Sequence, residues 1–311
     1  MEAFALETDA LWGSETSPIG IVGIGKIGAA IARRLAASGF KLVLYNRSLG
    51  KAEALAAEIG ASVAAIPADI TRRCQLVLNV VADWAAVQQV YNSPNGLLRA
   101  NDHGSVFVEL TTLGPVLIGE LMDLVSARKA SLIDASITGR PAEIEQGHGL
   151  IMAGGPGAIV TRATPALAAL GQVRHTGQTG TGATMKLVVN LMIFATLCGV
   201  SEALVLAEQA GISREMAYDL LLASPVNSKI LQLRRSDFLE PETMSVKAAL
   251  SLVTKDLDLI VDLAERNGAP IPQARRIRDV FAAAEKSGFG MRDATAVAEF
   301  LRNYGDEVDQ A

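Results

Sequence analysis

From Pro18 onward, short runs of branched apolar residues alternate with stretches in which apolar positions recur every three or four residues. The runs IGIVG, KLVLY, LVLNVV, SVFVEL and SLIDA have the length and β-branched content of strands. Helical patterns separate them, one reaching Ser38 and another running through Ile59. GLIMAGG and QVRHTG add late strands up to about Gly177. Strands alternating with helices in this way predict an α/β unit built on a doubly wound parallel sheet of Rossmann type. After Gly182 the alternation stops, and helical patterns alone remain, punctuated by start and stop residues. The first covers 183–209 and ends at Gly211; a second starts behind Ser213, a good N-cap. A long one covers 245–267, before Gly268 and Pro270, and two more lie near 272–287 and 292–303. The expected division is a leader extension at 1–17, a dinucleotide-binding domain at 18–179, and an all-helical domain at 180–311 joined through a long interdomain helix.

Composition narrows the function classes. The chain has 311 residues, more than one core usually spans, and half of them are hydrophobic, which excludes a disordered chain. A formal net charge of −5 without a clustered basic face speaks against nucleic acid as a partner. Cys74 and Cys198 stand far apart in apolar surroundings, so neither a disulfide framework nor a metal site is expected. His103, His148 and His175 are too scattered for a metal site or a relay and read as loop residues. The first residues lack the form of a secretory signal, and a cytoplasmic location is expected. The apolar run 187–200 falls short of the roughly 20 residues a membrane span needs.

Two clusters carry chemistry. In GIGKIG, the glycines Gly23, Gly25 and Gly28, with Lys26 and Ile27 between the last two, follow a strand and open a helix. That placement turns a weak pattern into a dinucleotide signature: a tight turn, close approach of a pyrophosphate to the backbone, and a helix N-terminus facing the phosphates. The second strand ends in Tyr45, Asn46, Arg47 and Ser48, with no acid to hold a ribose 2′-hydroxyl. Arg47 reads either as a partner for a 2′-phosphate, assisted by Asn46 and Ser48, or as an exposed loop cation; the first reading predicts NADP(H) over NAD(H).

The second cluster is GTGATMKLVVN, where Lys186 and Asn190 are spaced to share one side of a helix that is apolar nearly all round and therefore expected to be buried. Desolvation and the positive helix end would both disfavour the ammonium, which suits an acid/base group. The bland alternative is a lysine that snorkels to solvent beside an asparagine satisfying a neighbouring carbonyl.

IGIVGIGKIG, VELTTLGP, DASITGRPAEIEQGHGLIMAGG, GTGATMKLVVN and TKDLDL, taken in this order, resemble the β-hydroxyacid dehydrogenase family over nearly everything after residue 17. The resemblance implies an active site in the cleft between a Rossmann domain and a helical domain. It implies Lys186 as the catalytic acid/base and Asn190 as a holder of the substrate. Thr138 and Gly139 would receive the substrate carboxylate; Val81, Ala82 and Thr112 would touch the nicotinamide side; Lys255 would reach the cofactor from the helical domain. Two departures stand out. Arg140 replaces a glycine of the family's Ser-Gly-Gly, offering a second anion contact or simply pointing to solvent, and Val81-Ala82 replaces a usual Leu-Pro.

The expected activity is therefore an NADPH-dependent, reversible reduction of a small carboxylate-bearing aldehyde, of semialdehyde or glyoxylate type, to the hydroxy acid. The rivals are an imine reductase-like enzyme, which would commonly lack the lysine, and a non-catalytic NADPH-binding sensor, which would need neither Lys186 nor Asn190. The apolar linking helix suggests a homodimer or homotetramer.

Overall fold

Eight strands form one sheet in the order β3-β2-β1-β4-β5-β6-β7-β8. The computed structural model describes residues 12–100, 104–241 and 245–308, so His103 and most of the leader lie outside the described residues. The strands are β1 (Ile19–Val22), β2 (Leu42–Tyr45), β3 (Ser62–Val63), β4 (Leu76–Asn79), β5 (Val106–Glu109), β6 (Ser131–Thr138), β7 (Gly149–Gly154) and β8 (Gly171–Gly177). The helices between them are α1 (Lys26–Ala37), α2 (Leu49–Ile59), α3 (Pro67–Arg73), α4 (Trp84–Asn92), α5 (Pro115–Ser126), α6 (Pro141–Glu145) and α7 (Gly157–Leu170). β1, β4 and β5 are buried at every position, which is why their sequences are apolar runs rather than alternating ones. One core lies on each face of the sheet: Ile31 and Leu35 of α1 belong to one, Val87 and Tyr91 of α4 to the other.

Departures from the expected elements have local causes. The sheet is mostly parallel, but β7 runs antiparallel to β6. Strand β3 and helix α7, the latter with Pro165 inside it, were not foreseen. His175 lies in β8 and not in a loop, with Nε2 2.9 Å from the carbonyls of Gly155 and Gly177. Trp12, at the end of the leader, is buried, and the Arg162 guanidinium stacks 4.3 Å from the centre of its ring.

The chain divides into two compact units, residues 1–186 and 187–311, and the division falls inside α8 (Thr181–Gln209). The second unit contains most of α8 together with α9 (Arg214–Ala223), α10 (Lys229–Leu239), α11 (Leu250–Arg266), α12 (Pro272–Ala284) and α13 (Val297–Val308). Helix α11 begins at Leu250 rather than near Ser245. The reason is Asp293, whose carboxylate takes the backbone N–H groups of Lys247 and Ala248 and holds them outside the helix. Arg234 reaches the same carboxylate at 3.2 Å and Asp237 at 2.8 Å. Burial works against the Asp293 charge, but Arg234 and the backbone donors outweigh it and hold the carboxyl below its ordinary range.

Helix α8 corrects two expectations. Only one of its sides is buried: Leu187, Phe194, Leu197 and Leu204 enter the core of the second unit, while Met192 and Leu206 are 64% and 72% exposed. At 29 residues it is also long and apolar enough, by length and composition, to cross a membrane, although core helices of water-soluble folds pass the same test.

Glycines on α8 separate packing from propensity. A Cβ at Gly182 would stand 2.3 Å from the Asp134 carbonyl oxygen and 2.5 Å from that of Met152, whereas one at Gly199 would meet nothing within 4 Å. Gly182→Ala should cost ~1–3 kcal/mol or more through overpacking. Gly199→Ala should be neutral or add up to ~1 kcal/mol through helix propensity. Urea melts of the two variants check this, and equal stabilities would contradict it.

Candidate functional site

The doubly wound order reverses between β1 and β4, and ligands of such sheets bind outside the carboxyl ends of the strands at that reversal. Gly23 begins the loop after β1 with φ 95°, and a Cβ there would lie 2.1 Å from the Val80 carbonyl oxygen. Gly28 faces the Gly23 carbonyl so closely that a Cβ would be 1.8 Å from its oxygen. Gly25 differs, because a Cβ there would meet nothing within 4 Å. It is the N-cap of α1, without a side-chain cap or an acid in the first turn. An open backbone at an uncapped, acid-free helix start fits the pyrophosphate of a dinucleotide. Lys26 is exposed beside it, and Ile27 packs on the core.

Asn46 ties this loop to the end of β2. Its Oδ1 accepts the Ile24 N–H at 3.0 Å, and its Nδ2 donates to the Ser48 carbonyl at 3.0 Å. Asn46 is thus half-buried between the two loops, while Arg47 and Ser48 are exposed at the rim. Burial pushes the neighbouring Tyr45 hydroxyl up, and the Arg47 charge pulls it the other way.

A row of buried polar side chains crosses three neighbouring strands, at the carboxyl ends of β4 and β5 and within β6. Asn79 of β4, Glu109 of β5 and Asp134 of β6 are register partners, exposed by 0%, 1% and 1%. Asn79 Nδ2 donates to Glu109 Oε2 at 2.7 Å, and the Thr111 N–H donates to Oε1 at 3.0 Å. Thr111 Oγ1 in turn accepts the Val81 N–H at 3.1 Å, so Val81 and Ala82 after β4 are fastened to the loop that carries Thr112 after β5. Burial pushes the Glu109 carboxyl up to about 7 against these donors. Asp134 accepts the N–H groups of Gly180 and Ala183, each at 2.8 Å, which seats its carboxylate on the first turn of α8. Burial again dominates and pushes that carboxyl up to about 6. Sequence reasoning misses Glu109 and Asp134 because both belong to recognisable strands, Glu109 closing β5 and Asp134 lying inside β6; an acid in an otherwise apolar strand is the available signal.

Lys186 extends from α8 to β6, its Nζ donating to the Ile137 carbonyl at 3.0 Å. This brings the lysine head beside Thr138 and Gly139, the latter at φ 143° where a side chain is disfavoured. Arg140 is exposed, its Nε 3.5 Å from Glu143 Oε2, at the start of α6. In the second unit, Asn190 is buried and donates from Nδ2 to Asp256 Oδ2 at 2.9 Å, and Lys255 pairs with the other oxygen of Asp256 at 3.3 Å. Among the described residues no group of three or more His, Cys, Asp or Glu is arranged to hold a metal ion. Burial pushes the thiols of Cys74 and Cys198 up to about 12, away from reactivity.

The sheet order and the glycine turn define a dinucleotide-binding protein of the doubly wound class. Comparison with known proteins carries this further. Residues 18–182 match the family model described as the NAD binding domain of 6-phosphogluconate dehydrogenase. Residues 180–301 match the one described as NAD-binding of NADP-dependent 3-hydroxyisobutyrate dehydrogenase. The chain belongs to the β-hydroxyacid dehydrogenase family. It is 27% identical over 285 residues to glyoxylate/succinic semialdehyde reductase 1 of Arabidopsis thaliana, covering 91% of this chain and 98% of that protein. It is 26% identical over 279 residues to the cytokine-like nuclear factor N-PAC of Anopheles gambiae, covering 89% of this chain and 49% of the relative. A solved 3-hydroxyisobutyrate dehydrogenase from Salmonella typhimurium superimposes with a TM-score of 0.83 at 26% identity, over 91% of this chain and 99% of that one.

The two raised carboxyls set a pH dependence. Their ordinary values are 4.5 for Glu109 and 3.8 for Asp134, so between these and about 7 and 6 the folded chain binds protons that the unfolded chain has released. Stability therefore falls as pH rises through that window. Glu109→Gln should remove its share, so the melting temperature of the wild type, minus that of the variant, should decline between about pH 4.5 and about pH 7. A difference that stays flat over this range would show that Glu109 takes up no proton there.

Proposed function

We propose that the chain is an NADPH-dependent oxidoreductase that reversibly reduces a small carboxylate-bearing aldehyde, of semialdehyde or glyoxylate type, to the hydroxy acid. The observation that carries the reading is the seat of Lys186, whose head lies 3.0 Å from the Ile137 carbonyl and adjoins Thr138 and Gly139 at the end of β6. Relatives named as semialdehyde reductase and 3-hydroxyisobutyrate dehydrogenase support the substrate class.

The bound cofactor supplies hydride to the carbonyl carbon. The Thr138 hydroxyl and the Gly139 N–H hold the substrate carboxylate and so aim the reacting carbon. Lys186 gives a proton to the carbonyl oxygen in reduction and removes the hydroxyl proton in oxidation. Asn190, one helical turn further along α8, has its amide oriented by Asp256 and holds the substrate at a set angle. Arg47, exposed at the end of β2 where an acid would select NADH, supplies the charge for a 2′-phosphate.

One observation favours a second reading. The N-PAC relatives are named as nuclear factors and not as enzymes, which fits a dinucleotide-binding sensor. Retention of Lys186 in its seat supports the enzyme, and it also tells against an imine reductase-like activity.

Lys186→Ala should lower kcat for reduction of glyoxylate or succinic semialdehyde by ~10²–10⁴-fold, the span of general acid–base contributions, while NADPH affinity is kept. Wild-type inactivity across a panel of small semialdehydes, alongside tight NADPH binding, would favour the sensor. Independently, Arg47→Ala should erode the preference for NADPH over NADH by ~10- to 100-fold in kcat/KM, the worth of a charge-assisted hydrogen bond. An unchanged ratio would remove Arg47 from cofactor selection.

A further inference from the structure

Glu109 is a carboxyl group buried to 1% exposure, and the groups that meet it, Asn79 Nδ2, the Thr111 N–H and the Thr111 and Tyr91 hydroxyls, are all neutral. Burying a charge among neutral donors is costly, and a well-packed apolar side chain often serves stability better. What the carboxylate does is join two loops. Through Oε1 it fixes Thr111; Thr111 Oγ1 receives the Val81 N–H, and Oε2 draws in Asn79, the last residue of β4. The loop after β4 is wedged from the other side as well, since Val80 donates its N–H to the Val22 carbonyl at 2.9 Å and its own carbonyl closes on Gly23.

These loops stand at a telling place. The sheet reverses between β1 and β4. If phosphates sit on Gly25 and the start of α1, and the 2′-end of the cofactor lies by Arg47 after β2, then the other end of a dinucleotide spans the reversal toward the ends of β4 and β5. The Glu109 network fixes the backbone there without being exposed to the ligand itself.

We propose that Glu109 is a positioning residue for the nicotinamide half of the cofactor, acting through Thr111 and Asn79 on the loops that follow β4 and β5. This rests on the dinucleotide reading of the preceding section. Thr111→Val keeps the shape of the side chain but leaves the Val81 N–H without its acceptor. Glu109→Gln turns one acceptor oxygen of the network into a donor. Thr111→Ser retains the hydroxyl.

The test is fluorescence titration of wild type and the three variants with NADPH and with 2′-phospho-ADP-ribose, which lacks the nicotinamide. Thr111→Val and Glu109→Gln should each weaken NADPH binding on the order of 10-fold, the effect of an unpaired buried polar group. 2′-Phospho-ADP-ribose affinity should be kept, and Thr111→Ser should bind both ligands as the wild type does. Parallel weakening of both ligands would reveal a general structural role and overturn the proposal, as would unchanged NADPH binding in Thr111→Val or a Thr111→Ser that behaves like Thr111→Val. A wild type that binds neither ligand would overturn the dinucleotide reading and this inference with it. A wild type that binds both, with variants showing no split, overturns this inference alone.

Discussion

The Asp134 carboxylate on the first turn of α8 is the contact from which the geometry around Lys186 follows. Its two oxygens take N–H groups of Gly180 and Ala183 at 2.8 Å each, donors that a helix start otherwise leaves to water. A negative charge there is also favoured by the helix dipole, which offsets part of the desolvation that raises this carboxyl. The approach is close enough to exclude side chains: a Cβ on Gly154 would lie 2.6 Å from Asp134 Oδ1, and one on Gly182 2.9 Å from Oδ2. With the helix start pinned to β6, the lysine one turn on from Gly182 reaches back to the same strand. Its head meets the carbonyl of Ile137, three residues beyond the Asp that holds the helix.

The same economy of means is repeated along the sheet. Asn79 and Glu109 close β4 and β5, Asp134 stands at the same register level inside β6, and each side chain fastens a segment outside its own strand. Asn79 and Glu109 knit the loops after β4 and β5; Asp134 secures α8. An apolar residue at these levels would pack well but would leave the loops to find their own conformation. Backbone donors satisfy much of each buried carboxylate, which keeps the desolvation cost tolerable.

Much of this was legible in the sequence, and what was not has identifiable causes. Buried parallel strands are apolar runs, so β1, β2, β4, β5 and β6 stand out, and the placement of Gly23, Gly25 and Gly28 reads as a phosphate turn because each glycine has a separate steric task. The antiparallel turn of β7 was hidden, because periodicity does not carry strand direction. Helix α10 was missed since two of its buried positions are Arg234 and Asp237, which blur the apolar period while satisfying each other at 2.8 Å. The start of α11 depends on Asp293, far along the chain, and no local signal could place it. Lys186 and Asn190 were picked out as a pair by spacing, but their partners, a main-chain carbonyl and the Asp256 carboxylate, are long-range contacts beyond any local pattern.

The partners of those two residues bear on how the helix divides its labour. A carboxylate gripping the Asn190 amide fixes which way its polar atoms face. A carbonyl is a weaker anchor for an ammonium than a carboxylate, because it offers a dipole instead of a full charge. That carbonyl sets where the lysine head stands, beside Thr138 and Gly139 at the end of β6. Helix α8 thus carries a lysine placed by a main-chain carbonyl, an asparagine oriented by a carboxylate, and an apolar body that leaves Met192 and Leu206 exposed.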